Sequence, residues 1–325
     1  MKRVLTLLLA FLFPLTAIAD LEAHFLDVGH GDCTIIVCDG EAMIIDGGEA
    51  SQSSKVFSTI KALGIMDLKY AVASHPHDDH IGGLPAAFHA ASVSTLITSV
   101  TDYDSDRLDV LLKTATNKGA NIITPRAGDT FHLGAAEVQV LSPTKHYYNI
   151  NDMSLVLRLT YGDHVFLFTG DATKDIEADL IKSGNDLSAD VLKVAHHGST
   201  TSTSDKFVKA VAPAFAVISC SETYDNPSRE TLLALSGSKV LVTRMSGDIV
   251  IRSDGKTMTS SAAEYPIPVA EEKSEATYIG NKNSKIFHYS TCPSVDKMKE
   301  TNKIDLGSKK EAESMGYRPC KNCSP

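Results

Sequence analysis

No stretch of this 325-residue chain stays apolar for the roughly 20 residues that a membrane-spanning helix needs. The nearest approach, Val4 to Leu15, follows Met1-Lys2-Arg3 and precedes Ala17-Ile18-Ala19. A basic start, a short apolar run and small residues at signal-peptidase spacing describe an export signal over residues 1–19, with the mature chain beginning at Asp20. Cysteine is missing from the cleavage point, which argues against a lipoprotein anchor. A retained amino-terminal anchor is the alternative. The expectation is an exported protein, periplasmic or secreted, with no membrane attachment once the signal is removed.

Positive charge is also scarce. The formal charge is −9, and from Lys273 onward ten Lys/Arg stand against six Asp/Glu. The tail is therefore +4, while residues 20–272 carry −15. An acidic main part is a poor non-specific binder of nucleic acid, because phosphate affinity comes chiefly from Lys and Arg. No internal repeat is visible. The six cysteines fall in two sets: Cys33, Cys38 and Cys220 in or beside apolar strand-like runs, and Cys292, Cys320 and Cys323 in the tail. The first set reads as core or disulfide residues, and export permits disulfides.

What is present is an alternation of short elements. Strands are expected at His24–Val28, Thr34–Cys38, Ala42–Ile45, Tyr70–Ala73, Val138–Leu141, Leu155–Leu159, His164–Phe168, Val191–Val194 and Phe215–Ser219. Helices are expected at Lys55–Leu63, Arg107–Lys118, Lys174–Lys182 and Ser204–Val211. Strand-rich halves punctuated by helices predict two sheets with helices packed outside. Pro266 and Pro268, then Glu271-Glu272-Lys273, have linker composition. The expected division is a hydrolase domain over 20–262, a linker over 263–275 and a small domain over 276–325.

His75-Pro76-His77-Asp78-Asp79-His80 packs three histidines and two aspartates into the end of a strand. Alternate residues of an extended segment point the same way, so His75 and His77 can reach one ion. The following turn can carry Asp79 and His80 to a second. Imidazole with carboxylate suits zinc, iron or manganese, and the lack of thiolate argues against a purely structural zinc site. A helix N-terminus with incidental histidines is the bland alternative. Three more strand ends carry ligand-type residues before or after a glycine: Asp171 after Gly170, His196-His197 before Gly198, and Asp46 before Gly47. Asp171 reads as a bridge between ions, and Asp46 as a carboxylate that orients a ligand histidine.

His75 to His80 matches the HxHxDH signature of the metallo-β-lactamase superfamily. Within it, the chain resembles the hydrolase domain of the ComEC competence-protein family. The resemblance is carried by Leu26-Asp27-Val28-Gly29-His30-Gly31-Asp32, Ile45 to Gly48, Asn151 to Leu157, Thr169 to Asp171, Leu192 to Ser199, Val217 to Ser219 and Ser253 to Thr257. It implies an αββα sandwich with two divalent ions, zinc or manganese, at one sheet edge, where a metal-activated hydroxide attacks a phosphodiester. DNA is then the first substrate candidate. His75 and His77 would bind one ion; Asp79, His80 and one of the 196–197 pair would bind the other. His196 is taken as that ligand, leaving His197 for substrate or leaving-group contact, with Asp32 as a supporting catalytic residue. The sequence departs from the family in four ways, one being Asn226-Pro227-Ser228, which lacks the histidine of a usual His-Pro pair. The family's membrane channel is absent from this chain; His30 stands where glutamine is usual; and no histidine lies near Ile150–Ser154, where the third ligand of the first site belongs. Asp152 is the candidate substitute, and without it that site is weak or empty.

The tail holds His288-x3-Cys292 and then Cys320-x2-Cys323, a Cys3His set suited to one structural, tetrahedral zinc. It resembles the metal-binding domain of the Ada DNA-repair protein, with His288 in the place of a cysteine. A zinc-ribbon-like α+β module follows, and a segment this short rarely folds without a staple. A disulfide-bonded knot is the alternative. Tyr278, Tyr289 and the positive charge make the tail a candidate DNA-binding element. Two other readings remain: hydrolysis of another ester, lactam or lactone by the same metals, and a catalytically inactive nucleic-acid-binding module.

Overall fold

A computed structural model describes residues 21–267 and 278–325. The expected signal at 1–19 and most of the expected linker lie outside the described residues. The chain divides into two compact units between Pro268 and Val269.

The first unit holds two sheets. In chain order its strands are β1 (Leu21–Phe25), β2 (Thr34–Cys38), β3 (Glu41–Ile45), β4 (Asp67–Ala73), β5 (Ser92–Thr98), β6 (Asn121–Ile123), β7 (Thr130–Leu133), β8 (Ala136–Ser142), β9 (Val156–Tyr161), β10 (His164–Phe168), β11 (Val191–Lys193), β12 (Phe215–Ile218), β13 (Lys239–Val242), β14 (Ile249–Ser253) and β15 (Met258–Ser260). One sheet runs β15-β14-β1-β2-β3-β4-β5-β6 and the other β13-β12-β11-β10-β9-β8-β7. Each is antiparallel in one half and parallel in the other: β3, β4, β5 and β6 run together, as do β10, β11, β12 and β13.

Strand periodicity explains the layering. Successive side chains leave a strand on opposite faces. Ile36, Ile45, Val72 and Ile97 of one sheet meet Phe166, Phe168, Val191, Val217 and Leu241 of the other in a single inner core. Their neighbours Ile35, Ile44, Ala71 and Leu96 face outward onto Val56 and Ile60 of the helix Ser53–Ala62 and Leu108 and Leu111 of the helix Asp106–Asn117. On the opposite side, Leu167, Leu192, Ala216 and Val240 pack on Ile176 and Leu180 of the helix Lys174–Ser183 and Phe207 and Val211 of the helix Asp205–Val211. Both faces of both sheets are apolar, so the strands read as near-continuous hydrophobic runs. This is the αββα sandwich.

Most expected elements stand within a few residues of their predicted bounds. The first strand is shifted: it begins at Leu21 and ends at Phe25, because Gly29 and Gly31 take left-handed backbone angles and turn Leu26–Asp32 out of the sheet. Six strands of this unit were not anticipated: β5, which lies next to the β6 edge, and β6, β7, β13, β14 and β15. Cys33, Cys38 and Cys220 are free thiols in the two-sheet unit's core.

The second unit carries β16 (Tyr278–Asn281), β17 (Ile286–Tyr289), β18 (Lys303–Leu306) and β19 (Arg318–Pro319) in the order β18-β16-β17-β19. Phe287, Leu306, Ala312 and Tyr317 form its small core, with the helix Lys309–Ser314 packed on the sheet. Among the described residues, no helix is long and apolar enough to cross a membrane.

Candidate metal centre

Parallel neighbours end on the same side. The C-terminal ends of β3 and β4 therefore lie together on one sheet, and those of β10 and β11 on the other. The chain leaves β3 at Asp46, β4 at Ser74-His75, β10 at Thr169-Gly170-Asp171 and β11 at the turn Ala195–Gly198. Asp46, His196 and His197 adopt left-handed backbone angles (φ 59°, 50° and 55°) that non-glycine residues avoid. Such a conformation costs on the order of 1–3 kcal/mol per residue and persists only where surrounding contacts hold it. Here the His196 N–H donates to Gly170 O at 3.1 Å, and the Ser199 N–H donates to His196 O at 2.8 Å.

Asp171 is the hub. Its Oδ1 lies 3.1 Å from His80 Nε2 and 3.8 Å from His197 Nε2. Its Oδ2 lies 3.7 Å from both His75 Nε2 and His196 Nε2. His77 Nδ1 stands 3.1 Å from His75 Nε2, and His197 Nε2 stands 3.2 Å from Asp79 Oδ2. Donors sharing one ion at bonds of about 2.1 Å and tetrahedral angles are about 3.4 Å apart. The separations here scatter around that value. His75, His80 and Asp171 form one convergent donor group; His30, Asp79 and His197 form another. Supports stand behind the rings. Asp46 Oδ2 takes His80 Nδ1 at 2.9 Å and the Ser74 hydroxyl at 2.7 Å, and its Oδ1 accepts the Ser74 N–H at 2.8 Å. His197 Nδ1 faces Ser219 O at 3.1 Å and Asp32 Oδ1 at 3.4 Å. Asp32 is itself paired with the buried Lys193 Nζ at 2.7 Å.

His80 Nε2, His197 Nε2 and Asp171 Oδ1 are buried and lack an aligned hydrogen-bond partner. Three such orphans converging on one spot carry a desolvation cost that a cation removes. Burial disfavours charge on His80, yet Asp171 and Asp46 hold its pKa well above the ordinary histidine value. Burial likewise opposes charge on His197, but Asp171, Asp32 and Asp79 push its pKa up to about 9. Burial alone would raise Asp171; His80 and His197 keep it well below the usual carboxylate range. Protons on two imidazoles thus supply the positive charge that the carboxylates demand, and divalent cations fit the same place.

Residues 26–222 match the family model of the metallo-beta-lactamase superfamily. The chain belongs to that superfamily. It is 26% identical to ComE operon protein 3 of Bacillus subtilis over 79% of this chain and 36% of that protein. It is 29% identical to Recombination protein 2 of Haemophilus influenzae over 61% of this chain and 24% of the relative. The chain thus spans well under half the length of these relatives. A solved metallo-beta-lactamase fold protein of Bacillus subtilis, YhfI, aligns at 15% identity and TM-score 0.49, covering 72% of this chain and 100% of that one. Residues 270–325 match the model of the metal binding domain of Ada.

The superfamily signature residues His75, His77, Asp79 and His80 come together with Asp171 and the 196–197 pair as their spacing implied. The two rings of that pair face different oxygens of Asp171. His197, fully buried, faces Asp79 and the Asp171 oxygen shared with His80. His196 faces the other Asp171 oxygen, on the side of His75, with 28% of its side chain exposed. Asp32 lies behind His197, buried and paired with Lys193. Asp152 does not replace the missing histidine: its Oδ1 accepts the Thr173 hydroxyl at 2.6 Å, and it belongs to no convergent donor group among the described residues. Sequence reasoning missed His30 and Lys193 as parts of the centre. The only signal was a histidine between two glycines, and a lysine inside an otherwise apolar strand.

In the second unit, His288, Cys292, Cys320 and Cys323 present donor atoms all within 4.8 Å of one another. All three thiols are free in this structure, the state that ligation of an ion requires. His288 Nδ1 is buried without a partner. The Ser294 N–H and His288 lower the Cys292 thiol to about 6, favouring the thiolate that ligates metal. A tetrahedral zinc fits this set.

Proposed function

We propose that the main unit is a metal-dependent phosphodiesterase, with DNA as its substrate. His75, His77 and His196 would hold one divalent ion and Asp79, His80 and His197 the other, with Asp171 between them. His196 would take the place of the histidine that the sequence lacks near Ile150–Ser154. Such a pair of cations supplies Lewis acidity toward a phosphoryl group and a more acidic water. The chain's own residues do the rest. Asp46 and Ser74 fix the His80 ring, the Asp32–Lys193 pair and Ser219 O fix His197, and the strained 195–198 turn aims the 196–197 pair at opposite oxygens of Asp171. No serine or cysteine nucleophile is required. The observation that carries this reading is the division of Asp171 between two donor sets.

The phosphodiester choice over a lactam or lactone is supported by likeness to proteins named for competence and recombination. The tail, with its +4 charge, would supply the nucleic-acid affinity that the acidic main unit lacks. Purified full-length protein, loaded with manganese or zinc, is to be assayed on single-stranded DNA, bis-p-nitrophenyl phosphate and a chromogenic β-lactam. Cleavage of both diesters supports the reading, and cleavage of the lactam alone refutes it. No turnover with any metal, despite bound ions, favours a binding module. Export of the chain, read from residues 1–19, is part of the proposal; a cleaved amino terminus at Asp20 in protein recovered outside the cytoplasm checks it.

A further inference from the structure

His30 belongs to the segment 26–32, on the loop between β1 and β2, and no metal-binding role was read for it from the sequence. The fold presses that loop onto Asp79. Gly31 has φ +116°, and a Cβ on it would sit 2.1 Å from the Asp79 carbonyl oxygen. The same oxygen accepts the Asp32 N–H at 3.1 Å. Only glycine permits so close an approach. The His30 ring is then held between two others: His197, centroids 4.2 Å apart, and Tyr224, 4.1 Å. Its Nε2 lies 3.7 Å from Asp79 Oδ2, the oxygen that His197 Nε2 approaches at 3.2 Å. Its Nδ1 is buried with no hydrogen-bond partner. Donor atoms of His30, Asp79 and His197 converge within 4.8 Å, around the roughly 3.4 Å spacing of ligands on one ion.

We infer that His30 is an additional ligand of the metal position that Asp79 and His197 serve. Resting on the two-ion reading above, it adds an imidazole to the Asp79 carboxylate and the His197 ring. An amide oxygen is a hard donor suited to manganese or magnesium; an imidazole favours zinc, cobalt or iron. The added imidazole therefore tilts this position's preference from oxygen-seeking ions toward zinc.

The test compares the full chain with His30→Gln and His30→Asn. It measures zinc and manganese affinities by chelator competition, and the visible spectrum of the cobalt-loaded protein. Tyr224→Ala serves as control, since it removes the stacking partner and no donor. Thermal unfolding of the metal-free forms checks that each variant folds. The inference predicts that both His30 variants keep one ion at wild-type affinity and bind the second at least tenfold more weakly in zinc. Their zinc-to-manganese preference falls, their cobalt spectrum changes, and the Tyr224 variant loses less zinc affinity than either His30 variant. Unchanged zinc affinity and cobalt spectrum in folded His30→Gln overturn it, as does an equal loss in Tyr224→Ala. Wild-type protein that takes up no ion at this centre overturns the underlying two-ion reading instead.

Discussion

Asp46 shows how the centre is held from behind. Its carboxylate takes His80 Nδ1 and both donors of Ser74, so the far face of the imidazole is fixed toward Asp171. Asp46→Asn keeps the shape but loses an acceptor for the ring. The expected result is a fall of about 10–100-fold in metal affinity or activity, with the fold retained by circular dichroism. The protons matter as much as the geometry. His197, pushed up to about 9, carries a proton at neutral pH that an ion must displace. Apparent metal affinity should rise with pH up to about 9 and then level, in chelator competition across a pH series. Metal-free protein behaves oppositely. A folded-state pKa above the unfolded value of about 6.5 gives stability that is complete below 6.5 and lost as pH rises through 9. The melting temperature of the metal-free chain should therefore decline over that window. At this scale the sequence was legible where ligands are neighbours, as in His75 to His80. His30 and Lys193 were not, because they meet Asp79 and Asp32 only through tertiary contacts.

Strand ends place the chemistry, and strands are held by the core between the sheets. Phe168 ends β10, three residues before Asp171, and its ring lies 6.3 Å from that of Phe25 on the facing sheet. Phe168→Ala should cost about 3–5 kcal/mol in urea unfolding, the usual range for an aromatic removed from a core. Metal affinity should fall with it, since the Asp171 turn loses its footing. The alternation of apolar pairs such as Ile44-Ile45 and Ala71-Val72 was enough to expect strands. Ser92–Thr98 escaped notice because Ser92, Ser94 and Thr95 interrupt its apolar residues, although β4 and β6 flank it on both sides. The order of His196 and His197 was also illegible: which ring turns to which oxygen is decided by two successive left-handed residues, and no spacing rule encodes that.

For the whole molecule, charge separates the two units. If the tail guides DNA, reversing Arg318 and Lys321, both exposed, should raise KM for single-stranded DNA and reduce its salt dependence. The rate on bis-p-nitrophenyl phosphate should stay unchanged. Equal effects on both substrates would count against a DNA role for the tail. Local periodicity was enough to expect two sheets with helices outside, the family resemblance implied their αββα order, and fixed spacing marked the four-donor set of the tail. Everything else depends on whether Asp171 stands between two ions. The direct measurement is a crystal of the zinc-loaded protein, with anomalous scattering at the metal edge recorded over the main unit. Two peaks about 3.5–4 Å apart, one on each side of the Asp171 carboxylate, are predicted. A single peak, or peaks remote from Asp171, would contradict the account.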